Sequence, residues 1–98
     1  MTDVTVTNNS PASRYEARVA DELAGFAEYR LTGETIAFTH TKVEEDFEGR
    51  GIGGALARQA LDDVAATGGR QVVAECEFIK SWIERHPDYA HLVAPEAG

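Results

Sequence analysis

The chain has 98 residues, with 17 acidic against 9 basic side chains and a formal charge of −8. That length admits one domain, residues 1–98, with room for a single sheet and two or three helices. The acidic balance argues against a nucleic-acid partner, no apolar run is long enough to span a membrane, and a lone cysteine, Cys76, excludes an internal disulfide.

In chain order, Val4–Thr7 predicts a short first strand, and Asn8-Asn9-Ser10-Pro11 predicts the turn after it. Arg14 to Val19 alternates polar with apolar residues, the mark of a half-buried strand. Leu23 to Leu31 continues that pattern, with Phe26 on one face and Tyr29 and Leu31 on the other. Thr32-Gly33-Glu34 predicts a hairpin turn, and the β-branched run Thr35–Val43 the next strand. From Gly51 the period changes: Ile52, Leu56, Ala60, Leu61 and Val64 fall at helical spacing until Gly68-Gly69. Gln71–Glu75 reads as a strand, and Phe78, Ile79, Trp82 and Ile83 as a helical stripe that stops before Pro87. Residues Asp88 to Val93 add a further helical turn. The expectation is an α/β (α+β) domain of order β-β-β-β-α-β-α, an antiparallel meander followed by a β-α-β crossover and a C-terminal helix.

The most informative stretch is Phe47-Glu48-Gly49-Arg50-Gly51-Ile52-Gly53-Gly54, where a strand hands over to a helix. Glycines there let the backbone approach a ligand closely, and a helix start with free N–H groups suits a phosphate or pyrophosphate; Arg50 adds charge. A turn whose glycines merely pack closely is the competing reading. A Walker-type loop fails, because Gly54-Ala55 supplies neither the lysine nor the magnesium-binding hydroxyl. Gly49-x-Gly51-x-x-Gly54 formally matches a dinucleotide fingerprint, with Glu75 as its acid. Against that match, Glu44 to Glu48 separates the strand from the glycines, and four antiparallel-type strands come first.

Val43 through Leu56 resembles motif A of the GNAT acetyltransferases, whose signature is Gln/Arg-x-x-Gly-x-Gly/Ala; here it reads Glu48-Gly49-Arg50-Gly51-Ile52-Gly53. The element order agrees, so the resemblance covers nearly the whole chain. It extends to a small stand-alone branch with a His-Thr pair before motif A and a cysteine after the next strand, here His40-Thr41 and Cys76, and to the tail from Cys76 to Tyr89. The resemblance implies acetyl-CoA as cofactor, with the N–H groups from Glu48 to Gly53 cradling its pyrophosphate. It places Thr41, Lys42 and Val43 beside the pantetheine arm, and adds Gly54, Phe78, Lys80 and Ser81 to the cofactor-binding set. Glu48 departs from the family's Gln/Arg. In such enzymes an N–H at a bulge in the motif-A strand holds the thioester carbonyl, which would fall within Thr41–Val43.

Acetyl transfer to nitrogen needs a neutral amine and a proton for the departing thiolate. Cys76 stands at the start of the last helix with Lys80 one turn on, both favouring thiolate, while Glu77 opposes it. It reads either as nucleophile or proton donor, or as a buried structural cysteine. His40 shares by spacing the strand face of Ile36 and Phe38, and reads either as a core histidine or as a base for an acceptor amine or for Cys76. His86 and His91 flank Pro87-Asp88-Tyr89 and are expected to cap or pack a chain end; no metal-ligand spacing joins the histidines to Cys76. The short link from Val4–Thr7 to Tyr15 leaves no room for the helices that wall the acceptor pocket in larger GNATs. An open site follows, for an exposed peptide or protein amine or a small polyamine, with a non-catalytic acyl-CoA-binding module as the alternative. The start, Met1-Thr2-Asp3-Val4, has no basic region followed by an apolar stretch, and a lone cysteine fits a reducing compartment, so a cytoplasmic location is expected. A monomer or weak homodimer is the expected assembly.

Overall fold

The computed structural model describes residues 4–93. Its strands are β1 (Val4–Asn9), β2 (Arg14–Val19), β3 (Glu22–Thr32), β4 (Thr35–Val43) and β5 (Gln71–Ala74), and its α-helices α1 (Ile52–Thr67) and α2 (Glu77–Arg85). Short 3₁₀ segments cover Ser10–Ala12, Glu45–Phe47 and Pro87–Leu92. The strands form one five-stranded sheet in the order β1-β2-β3-β4-β5. All neighbours are antiparallel except β4 and β5, which run parallel across the α1 crossover. The α+β architecture expected from the alternating patterns is therefore the observed one.

The turns follow from the residues in them. Pro11 suits the start of the first 3₁₀ turn, and Ser13 closes it in a left-handed conformation with its N–H on the Ser10 carbonyl. Gly33, at φ +59°, takes the left-handed position between β3 and β4 at no steric cost. The turn between β2 and β3 has no glycine; Ala20 and Asp21 carry positive φ there.

The core lies between one sheet face and the helices. Tyr15, Ala17, Ala24, Ala27, Tyr29, Ile36 and Phe38 meet Ile52, Leu56, Ala60, Leu61 and Val64 of α1, and α2 joins beside α1 through Ile79, Trp82 and Ile83. Alanines on both sides let helix and sheet approach closely, and fully buried Leu56 is worth about 2–5 kcal/mol against truncation to Ala. The other sheet face carries Arg14, Glu16, Phe26 and His40. Glu16 is buried there and accepts from Arg14 Nε at 2.7 Å, Arg18 Nη2 at 3.2 Å and Asn9 Nδ2 at 3.2 Å. The Arg14 bond, then the Asn9 bond, hold its carboxyl below the usual range.

One irregularity in β4 matters for everything after it. Tyr29 pairs with Phe38 and Glu28 with His40, so Thr39 is an extra residue opposite β3. The bulge reverses the alternation: Phe38 is fully buried in the core, whereas His40 is exposed beside the Phe26 ring, centroids 6.1 Å apart. His40 thus does not share the face of Ile36 and Phe38, as its spacing suggested.

Among the described residues, no helix is long and apolar enough to cross a membrane.

Candidate functional site

The site is built where β4 and β5 part. Their pairing ends at Phe38 and Ala74, and the Phe38 carbonyl then accepts from both Glu75 N–H at 3.1 Å and Cys76 N–H at 2.9 Å. Beyond that point β5 turns into α2 while β4 runs on to Val43. On its other side β4 stays paired with β3, and Glu44 N–H reaches the Ala24 carbonyl at 2.8 Å. Strand alternation therefore turns the main-chain groups of Val43 and Thr41 toward the vacated edge, ready for an amide-bearing ligand. The bulge itself lies at Thr39, upstream of the Thr41–Val43 segment where it was expected.

Next along the edge comes the glycine turn. Gly49 and Gly51 hold φ of +80° and +75°, and an added Cβ at either would meet nothing within 4 Å. Gly51 is the N-cap of α1 with no side-chain cap, and the first turn carries no acidic residue to offset the dipole. The first helical bond at this end is Ala55 N–H to the Gly51 carbonyl, 3.0 Å. Among the described residues, no protein acceptor meets the N–H groups of residues 49–54. Glu48 is not part of that set, because its N–H bonds the Glu45 carbonyl at 3.2 Å in the 3₁₀ turn. The unpaired run expected from Glu48 to Gly53 is thus shifted one residue along.

The four glycines and Ile52 of this run, though not Arg50, border a groove of about 270 Å³ with Val43, Phe47, Glu48 and Phe78. The residues fit a diphosphate carried on a long amide arm: consecutive free donors, a helix dipole, and an open strand edge leading away from them. The glycines differ in role. A Cβ on Gly53 would lie 2.5 Å from Phe78 Cζ, so Gly53 serves the contact between α1 and α2.

Cys76 stands at the fork as N-cap of α2, half-buried and free, its thiol 3.4 Å from Thr41 Oγ1. His40 lies on the opposite face of β4, so direct proton transfer from Cys76 to this imidazole is not what the geometry provides. Lys42 points away from the groove and pairs with Glu44 at 3.8 Å. Arg50 stacks over Phe47, 5.5 Å from the ring centroid. Lys80 and Ser81 are exposed on α2, outside the groove lining. His86 packs flat on Trp82, centroids 3.8 Å apart, its Nδ1 2.7 Å from the Trp82 carbonyl, as expected of a chain-end histidine. Phe47 was missed as a lining residue; its place beside the glycines was the available signal.

The model of the GCN5-related N-acetyl-transferase family matches residues 14–92. No curated protein matches the chain. Among solved structures, the chain superposes on the solution structure of a GCN5-like protein from Staphylococcus aureus with a TM-score of 0.72 at 18% identity, covering 98% of this chain and 93% of that one. A crystal structure of a GNAT-family protein from Desulfovibrio desulfuricans gives a TM-score of 0.55 at 26% identity, covering 79% of this chain and 52% of that one. The likeness to the Staphylococcus aureus protein concerns the fold.

Proposed function

The chain belongs to the GCN5-related N-acetyltransferase family, and from that premise we propose that it binds acetyl-CoA along the β4 edge and passes the acetyl group to an exposed amine. The observation that carries this reading is the run of unpartnered main-chain N–H groups from Gly49 to Gly54, at an uncapped helix start beside an unpaired strand edge. Those donors and the α1 dipole take the diphosphate. Thr41 and Val43 hold the pantetheine amides through their main chain, and Phe47 and Phe78 flank the entrance. Acetyl-CoA supplies the activated acyl group as a thioester.

At the far end of that path the Cys76 thiol meets the thioester, with Thr41 Oγ1 orienting it. There it gives a proton to the departing CoA sulfur as the amine attacks the thioester, or it takes the acetyl on its own sulfur while its proton leaves on CoA as the free thiol. In the second case the amine then takes the acetyl from the Cys76 sulfur and returns a proton to it. The acceptor is a peptide or protein amine or a small polyamine. Support comes from the sheet face turned away from the helices, which no described element covers, and from the chain's charge of −8, which favours cationic partners.

The binding half is tested by titration calorimetry with acetyl-CoA. Gly51→Glu sets a carboxylate among the donors and is expected to weaken binding about tenfold or more by like-charge repulsion. Gly51→Asn tolerates the left-handed backbone without adding charge and keeps most of the affinity. Equal affinity in Gly51→Glu would refute the loop assignment. For transfer, labelled acetyl-CoA is incubated with a lysine peptide and with spermidine, and products are weighed by mass spectrometry. Binding without acetylation of either acceptor would favour the non-catalytic module instead.

A further inference from the structure

A second cavity, of about 200 Å³, lies at the other end of the sheet. It is bordered by Asn8 at the end of β1, Tyr15 at the start of β2, Tyr29 and Leu31 late in β3, Asp63 in the last turns of α1, and Arg70 just before β5. Residues 51 and 63 are twelve apart along α1, about 18 Å at the helical rise, so this cavity is distinct from the glycine turn.

Its polar groups are arranged with partners missing. Tyr15 OH donates to Asp63 Oδ2 at 2.7 Å, and Asp63 Oδ1 has no side-chain donor among the described residues. Tyr29 OH donates to the Asn8 side-chain oxygen at 2.7 Å, which fixes the amide and leaves its NH₂ donors available. Arg70 Nη1 is buried and has no hydrogen-bond partner among the described residues. Asp63 and Arg70 border the same cavity, yet they do not come within the 4.0 Å of an ion pair. Leaving a guanidinium N–H buried and unmet is costly, and a ligand anion that draws the Arg70 guanidinium toward the cavity would relieve it. Ile36, Val64 and the two tyrosine rings form the apolar part of the wall, Ser10 and Thr67 add hydroxyls to the lining, and Leu31, 49% exposed, completes the apolar side.

We propose that this cavity is a binding site for a small zwitterion of the α-amino-acid class with an apolar side chain. The ligand carboxylate meets the Arg70 guanidinium and the Asn8 amide, its ammonium meets Asp63 Oδ1, and its side chain rests on the wall by Leu31. The charges present, one of each sign, match those of such a ligand and of neither a simple carboxylate nor a simple amine. About seven waters' worth of volume accommodates an amino acid of alanine to leucine size. The inference does not depend on the acetyl-transfer reading.

The test is titration of the whole chain with L-alanine, L-valine and L-leucine at millimolar concentration. It is followed by calorimetry and by amide chemical shifts of Leu31, Asp63, Thr67 and Arg70. Isobutyrate and isobutylamine serve as half-ligands. Saturable binding of an amino acid, with shifts confined to this end and an affinity at least about tenfold above either half-ligand, supports the assignment. Arg70→Gln is expected to lower affinity about tenfold or more, while Arg70→Lys retains part of it. Arg70→Lys also controls for folding, since it keeps the charge. No saturable binding by any of the amino acids, equal binding by isobutyrate, or unchanged affinity in a folded Arg70→Gln protein would each overturn it.

Discussion

Gly53→Ala isolates what holds the two helices together beside the glycine turn. The added methyl would sit 2.5 Å from Phe78 Cζ and 3.0 and 3.1 Å from its two Cε atoms, closer than carbon atoms allow. Phe78 is half-buried and meets the methyl with its ring tip, so relief comes from swinging the ring rather than from moving α1. Over-packing of this kind costs about 1–3 kcal/mol, and the better helix propensity of alanine returns at most about 1 kcal/mol. The expected net loss is about 1 kcal/mol, or roughly 4–8 °C in Tm for a domain of this size. The sharper test is the sign in a Phe78→Leu background. With the ring tip gone, only the propensity gain remains, so Gly53→Ala should become neutral or stabilising by up to about 1 kcal/mol. Urea unfolding followed by circular dichroism measures all four proteins of the cycle. A Gly53→Ala chain as stable as the parent with Phe78 in place would refute the packing role.

Other substitutions probe the charged and titratable groups. The folded-state pKa of Glu16 is lowered by its donors, so its contribution is present above the unfolded carboxylate pKa and is lost as pH falls through the lowered value. Glu16→Gln should cost about 1–3 kcal/mol at neutral pH and flatten the loss of stability on acidification, read by urea unfolding across the acid range. Burial first, and then the hydrogen bond to Asp63, raise the Tyr15 phenol well above its ordinary value. Stability from that group is complete below the ordinary phenol pKa and declines as pH rises through the raised one. Ultraviolet titration should show Tyr15 ionising earlier in Asp63→Asn; an unmoved curve would deny the coupling. Because His40 and Cys76 lie on opposite faces of β4, His40→Ala should leave the pH profile of Cys76 alkylation by iodoacetamide unchanged. A shift of that profile toward higher pH would restore the imidazole as partner of the thiol.

Which parts of this arrangement a sequence can carry depends on the range of the interaction. Strands and helices were legible because the residues that specify them are neighbours: the alternation of Arg14–Val19, or the spacing of Ile52, Leu56 and Val64, is complete within each element. The glycine turn was legible as a type of site, since both positive-φ glycines stand beside an uncapped helix start. Its division of labour was not, because Gly53 answers to Phe78, which lies across an entire strand and the start of α2. The Tyr15–Asp63 bond spans 48 residues and the Arg30–Glu75 bond 45, and no local pattern announces either.

Thr39 shows how a single unmarked residue decides chemistry. A threonine fits a regular strand position as well as a bulge, so nothing in Thr35–Val43 reports the extra residue. In a regular strand, His40 would share the helix-side face with Phe38, and Thr41 would turn to the other face, away from Cys76. With one residue inserted, the faces of both exchange: the imidazole moves out beside Phe26, and the Thr41 hydroxyl comes to 3.4 Å from the thiol. The bulge also precedes the stretch of β4 that β5 abandons, so the Thr41 side chain and the vacated strand edge reach the fork together. The pairing of Thr41 with Cys76 is therefore a consequence of backbone register and would not survive restoration of regular alternation in β4, even with both residues retained.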